Sequence, residues 1–207
     1  MTAFLTIALI HLVAVASPGP DFLIITRNSL TYSRRTGIWT ACGLGLGILL
    51  HVTYSLLGIG LLISKSILLF NLIKYLGAAY LIYIGWGALT HKAIKSHKQT
   101  ITKASKDLSP LQALRIGFLT NALNPKATLF FLALFTQVIS PTTPLLVQIG
   151  YGAYMSLATF IWFTGIASLL SLSTIRRQFM RIQSGAERVM GGMLILLGLK
   201  VALATRK

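Results

Sequence analysis

The chain has 207 residues, of which 55% are apolar and only 11% charged, with a mean hydropathy of +0.76. A soluble domain carries about 25% charged residues, so this composition excludes an ordinary water-soluble globule. Nineteen Lys and Arg stand against three acids, Asp21, Asp107 and Glu187, for a net charge of +16; the placement of those charges decides between a nucleic-acid partner and a membrane.

The first apolar run, Ala3–Ile25, contains Ala14-Val15-Ala16, which mimics a signal-peptide cleavage site. No basic residue precedes Arg27, and Pro18 and Pro20 crowd the cut, so the run is read as a retained membrane helix. A bilayer core about 30 Å thick needs about 20 apolar residues as helix. Five more such runs follow: Gly37–Ile63, Leu68–Leu89, Leu111–Ile139, Leu145–Leu172 and Val189–Ala204, the last being shortest and carrying Lys200. All are apolar on every face, as suits lipid-embedded helices. The single Cys42 allows no internal disulfide and no CxxC pair, and reads as a small packing residue.

Between spans three and four lies a polar loop, His91–Pro110, with Lys92, Lys95, Lys98, Lys103 and Lys106. It divides the chain into residues 1–90, a basic linker 91–110, and residues 111–207. A second basic stretch, Ile175–Arg188, holds Arg176, Arg177, Arg181 and Arg188 among apolar residues, as in a helix lying on a membrane surface. Arg27, Arg34, Arg35 and both basic stretches fall on one side of the membrane. The positive-inside rule makes that side cytoplasmic and leaves both termini outside. The charge is therefore a topological address with contact to the lipid bilayer, and no nucleic-acid groove is expected.

Three spans per half place the halves in opposite senses. At an offset of 105, Pro20 matches Pro125, Gly45 matches Gly150, Gly47 matches Gly152 and Gly60 matches Gly165; at 113, Ala78-Ala79 match Gly191-Gly192 and Gly85 matches Gly198. The expected fold is thus an all-α membrane protein of six transmembrane helices, arranged as two inverted three-helix repeats. Helices one and four are broken at proline motifs. Such repeats characterise secondary transporters, whose sites lie where matched helices are interrupted.

The interruptions are Ser17-Pro18-Gly19-Pro20-Asp21 and Asn121-Ala122-Leu123-Asn124-Pro125-Lys126. Proline removes an amide donor and clashes with the carbonyl one turn back. In lipid, the freed backbone is tolerated only inside protein or beside a wet cavity. Asp21 and Lys126 each follow their proline directly. A charge near midplane costs at least about 2.5–3.5 kcal/mol and marks a functional site by default. The two are expected to face one cavity, with Lys126 or freed amides holding a substrate carboxylate and Asp21 receiving an ammonium or a proton. A structural ion pair, or capping by Asp21 of a half-helix starting at Phe22, are the plainer readings. Ser17, Thr120, Asn121 and Asn124 satisfy the broken backbone or bind a zwitterion. His51, with Tyr54 three residues on, is a second proton-coupling candidate or an interhelical hydrogen bond; His11 is a weaker one. Arg27 and Asn28 are placed at the cytoplasmic mouth. Gly43-x-x-x-Gly47 has the small-residue spacing of close helix packing, within one chain or in a homo-oligomer.

The run Ser17-Pro18-Gly19-Pro20-Asp21-Phe22 leading to Arg27-Asn28 and Arg34-Arg35-x-Gly37 resembles the opening signature of the LysE/RhtB family of amino-acid exporters. Gly117-Phe118-x-x-Asn121-x-x-Asn124-Pro125-Lys126-Ala127 resembles its second signature. Asp21-Phe22, Arg27-Asn28 and His51 look most like the threonine and homoserine/homoserine-lactone branch. The resemblance covers essentially the whole chain. It implies proton-driven export of a small-molecule amino acid across a bacterial inner membrane, with no cofactor and no enzymatic step. Members handling basic amino acids carry acids in the middle of the second span, where this chain has His51; a small neutral amino acid or its lactone is therefore favoured. A divalent-cation exporter would need clustered His, Cys or carboxylates, and here they are scattered. A membrane enzyme lacks a nucleophile–base pair, and a non-transporting subunit gains little from charged helix breaks.

Overall fold

A computed structural model of the chain describes residues 2–17, 19–65, 67–90, 106–137, 139 and 142–170, with isolated positions between 185 and 203. Seven helices run through these residues: α1 (Thr2–Ala16), α2 (Pro20–Thr31), α3 (Arg34–Lys65), α4 (Ile67–Thr90), α5 (Pro110–Ala122), α6 (Pro125–Gln137) and α7 (Leu145–Leu170). Pro18, most of the central basic loop, most of the second basic stretch and most of the expected sixth span lie outside the described residues. Spans two, three and five appear as α3, α4 and α7 within a few residues of the expected ends. Two described helices, Arg34–Gly58 and Leu145–Leu170, are long and apolar enough to cross a membrane, and four spans result if each bent pair counts as one. Leucines such as Leu57, Leu146 and Leu203 are more than half exposed. In water such a surface would drive aggregation; in hydrocarbon it is the ordinary exterior of a multi-pass membrane protein.

Both expected breaks are present. α1 and α2 meet at 56°, and α5 and α6 at 57°. Pro20 and Pro125 each open the following helix, where a missing N–H costs nothing. Ser17 N still donates to Val13 O, so α1 keeps its ladder up to the break, and Leu23 N donates to Gly19 O to start α2. At the second break, Leu123 N donates to Leu119 O and Thr128 N to Asn124 O. α5 begins with a capping box: Ser109 Oγ accepts from Gln112 N while Gln112 Oε1 accepts from Ser109 N, with Pro110 in the first turn.

Glycine sets how closely the helices approach. A Cβ on Gly43 would overlap the Leu114 carbonyl, and one on Gly117 would overlap the Thr40 carbonyl. α3 and α5 therefore pack backbone to backbone, and Gly43-x-x-x-Gly47 is spent inside the chain. The opposite face of α3 meets α7, where Ser156 Oγ donates to Gly45 O at 2.7 Å. Lipid tails are as apolar as leucine, so this close packing and the interhelical hydrogen bonds hold the bundle rather than transfer out of water. At the start of α3, Arg34 Nε donates to Ser168 Oγ, and Ser33 Oγ donates to Asp107, tying the linker's end to the α2–α3 turn. Two apolar clusters fill the interior, one around Ile7, Ile48, Phe131 and Met155, the other around Phe22, Ile25, Leu44 and Phe163.

Candidate functional site

Between these clusters lies a cavity of about 40 Å³, lined from α1 by His11, Ala14 and Val15, from the two breaks by Ser17, Gly19, Asp21, Asn121, Asn124 and Lys126, and from α3 and α6 by Ile48, Phe130 and Phe131. That is room for roughly three waters. The two helix breaks thus meet at one place, and both Asp21 and Lys126 line it.

The bonding crosses between the halves. Asp21 accepts from Asn121 Nδ2 at 2.7 Å and from Asn124 Nδ2 at 3.1 Å. Lys126 Nζ donates to Ser17 O at 2.8 Å and to Ser17 Oγ. Each charge is therefore held by the break of the opposite half. Asn124 also caps α6, its Oδ1 accepting from Lys126 N at 3.0 Å. Ser17 Oγ also donates to Ala14 O, closing the end of α1. The expected backbone-satisfying roles of Ser17 and Asn124 and their contacts to the charges coexist. Capping by Asp21 of a helix starting at Phe22 is not what forms. α2 starts at Pro20, its N-cap is Gly19, and no side chain caps it; the Asp21 carboxylate turns to the two asparagines instead. It still stands in the first turn, where the helix dipole favours a negative charge.

His51 stands one layer behind this cavity. Its Nε2 lies 2.9 Å from Asn121 O and its Nδ1 2.6 Å from the Tyr54 hydroxyl. A carbonyl can only accept, so Nε2 carries the proton, and in the neutral ring Nδ1 accepts from Tyr54. The ring stacks on Phe131 at 5.5 Å between centroids. His51 thus positions Asn121, which in turn donates to Asp21. Arg27 is exposed, whereas Asn28 is buried and donates to Thr40 Oγ1 at 3.0 Å, tying α2 to α3. Asn28 is accordingly a tie inside the bundle.

His11, the weaker candidate in the sequence, lines the cavity and is 1% exposed. Its Nε2 is 3.2 Å from Thr159 Oγ1 on α7, while its Nδ1 is buried without a hydrogen-bond partner. Asn121 Oδ1 is likewise buried and unpartnered. The signal in the sequence is slight: His11 shares a helical face with Ala14 and Val15 at i+3 and i+4, and that face leads to Ser17.

The model of the LysE type translocator family matches residues 12–205. The chain belongs to this family. It is 30% identical to the threonine efflux protein of Escherichia coli K12 over 97% of this chain and 98% of that one. Against the threonine efflux protein of Salmonella typhimurium the identity is 30% over 99% of both chains. An uncharacterized membrane protein of Bacillus subtilis is 29% identical over 92% of this chain and 93% of its own. No solved structure matches the chain. As a LysE-family protein it is a translocator, not an enzyme, and the match spans both helix breaks and every cavity residue named above except His11.

Proposed function

We propose that this chain exports small neutral amino acids, threonine or homoserine and its lactone among them, from the cytoplasm across the bacterial inner membrane, coupled to proton entry. The observation that carries this reading is a carboxylate and an ammonium lining one small cavity at two matched helix breaks. An amino acid is a zwitterion, and this pair is its electrostatic complement. The substrate's carboxylate would exchange for one of the Lys126 partners, and its ammonium would join Asp21. The threonine efflux proteins similar over nearly the full length support the substrate class.

The cavity is smaller than a whole amino acid needs, so the halves must part to admit one, as alternating access requires. The inverted-repeat reading draws support from paired contacts: α2 with α7 has its counterpart in α6 with α3, and α5 with α3 in α1 with α7. Asp21 and His51 are the proton-coupling candidates, His51 acting through Asn121. Basic loops on the cytoplasmic side and both termini outside complete the arrangement.

The test is efflux of preloaded threonine from cells carrying Asp21→Asn or Lys126→Met at matched protein levels. Loss of at least about tenfold in each is expected, from removing a buried charged hydrogen bond. Wild-type rates in both variants would overturn the site. Labelling of single cysteines introduced at the termini and in the central loop reads the orientation, and a loop reached from outside would reverse it.

A further inference from the structure

The charged end of the cavity accounts for the backbone of an amino acid and says nothing of its side chain. At the other end stands a polar group that nothing in the fold satisfies: His11 Nδ1, buried and without a partner. Buried polar groups are almost always paired, and an exception at a cavity wall points to a missing partner. The surroundings make the exception sharper. Phe130, Phe131 and Tyr154 stand around the imidazole at 6.3, 6.4 and 6.4 Å between ring centroids, offering no acceptor or donor to Nδ1. The other ring nitrogen is held by Thr159, itself fully buried, so the ring is clamped from α7.

We infer that His11, clamped by Thr159, reads a hydroxyl on the substrate's side chain and so selects hydroxylated over purely aliphatic amino acids. This rests on the exporter reading above and names the substrate class for the same cavity. A hydroxyl fits for a specific reason. If Thr159 donates to Nε2, then Nδ1 bears an unpaired N–H; if Thr159 accepts, Nδ1 is an unpaired acceptor. A hydroxyl both donates and accepts, so it satisfies either tautomer, which a methyl group cannot.

α1 keeps its helical ladder to Ser17, so His11 and Ser17 stand about 9 Å apart along the axis, at 1.5 Å per residue, and line the cavity at different levels. Ala14 and Val15 between the two ends, and Phe130 and Phe131 opposite, supply an apolar waist for the intervening carbons.

The decisive comparison is threonine against valine, which has the same shape with a methyl in place of the hydroxyl. Purified protein in proteoliposomes would take up labelled threonine in counterflow, with unlabelled threonine and valine as competitors. Wild-type protein is expected to need at least about tenfold more valine than threonine for half-inhibition, since valine leaves His11 unpaired. His11→Phe keeps a planar ring and removes both nitrogens; the ratio should fall to near one, with valine's own value little changed. His11→Asn, whose amide can replace Nδ1, should restore most of the preference. A wild-type ratio near one overturns the inference, as does a His11→Phe protein that keeps the wild-type ratio. Loss of both amino acids in His11→Phe and His11→Asn alike makes His11 a structural residue and overturns it too. Wild-type protein that moves no amino acid overturns the exporter reading itself, which separates the two failures.

Discussion

Gly47→Ala is a small change aimed at the centre of the site from outside it. Gly47 lies on α3, lines no part of the cavity, and touches Asn121 from behind. A Cβ there would stand 2.6 Å from Asn121 Oδ1, 2.8 Å from its Cβ and 3.0 Å from its Cγ. Contacts this short force Asn121 or the whole α3–α5 pair to move, and overpacking of this kind costs about 1–3 kcal/mol. Alanine's backbone preference returns roughly 0.5–1 kcal/mol, so the net loss of stability should stay below about 2.5 kcal/mol and the protein should fold. Function suffers more, because the Asn121 amide can no longer hold Asp21 at 2.7 Å. A hydrogen bond to a charged group contributes about 1.5–3 kcal/mol, equivalent to roughly 10- to 150-fold in rate or affinity. Gly58→Ala is the control on the same helix, since nothing lies within 4 Å of its Cβ. The assays are thermal unfolding in detergent, followed by size-exclusion fluorescence, and threonine efflux at matched protein levels. Gly47→Ala is expected to melt no more than about 10 °C below wild type and export at least about tenfold slower, with Gly58→Ala unchanged in both. Wild-type efflux from Gly47→Ala would mean that Asn121 does not act through Asp21.

Gly117→Ala pushes a methyl into the Thr40 carbonyl, which is backbone and cannot swing aside. It should destabilise by the upper end of the roughly 1–3 kcal/mol overpacking range or more, read as lost accumulation or a lower melting temperature, whereas Gly150→Ala, with open space around it, should not. Ser109→Ala removes one half of the α5 capping box and should cost about 1 kcal/mol of thermal stability while leaving efflux intact. His51→Phe keeps the stack on Phe131 and removes one of the two donors to the Asn121 carbonyl, which keeps Asn124 N at 2.9 Å, and efflux should fall about 2- to 10-fold. Adding Tyr54→Phe to it should do no further harm, because Tyr54 acts on His51; additive losses would refute that chain of contacts.

The helix breaks are legible from residue types alone. Proline inside an apolar run stops the ladder in any context, and Pro20 and Pro125 begin new helices as expected. The meeting of the charges is legible as well, because a charge flanked by apolar residues needs partners inside the protein; Asp21 and Lys126 line one cavity. What hydropathy cannot give is azimuth. α1 is apolar on nearly every side, and the face that His11 shares with Ala14 and Val15 marks the inner one only slightly. That His11 meets Thr159, 148 residues away, follows only from packing. Asn28 shows the same limit: its place beside Arg27 says nothing of its azimuth, and the helix turns it inward to Thr40.

The crossed bonding at the cavity gives a directional test of how substrate occupancy would act on the two halves. Asp21 of the first half is held by asparagines of the second, and Lys126 of the second by Ser17 of the first. These bonds join the halves in this state. A substrate shifts a conformational balance only by binding one state better than another. On the exporter reading, the substrate's ammonium and carboxylate take the places of these protein groups, and so dissolve the joins while binding. Asn124 is then a competitor of the substrate for Asp21, while Asn121 keeps the carboxylate in place. Asn124→Ser tests this, since serine can still cap α6 but is too short to reach the carboxylate. Half-saturation for threonine in proteoliposomes should then fall, by roughly 2- to 10-fold for one net hydrogen bond. The opposite arrangement, in which Asn124 like Asn121 holds Asp21 ready for the ammonium, requires half-saturation to rise by a similar factor. A rise would refute competition and make Asn124 part of the binding site proper.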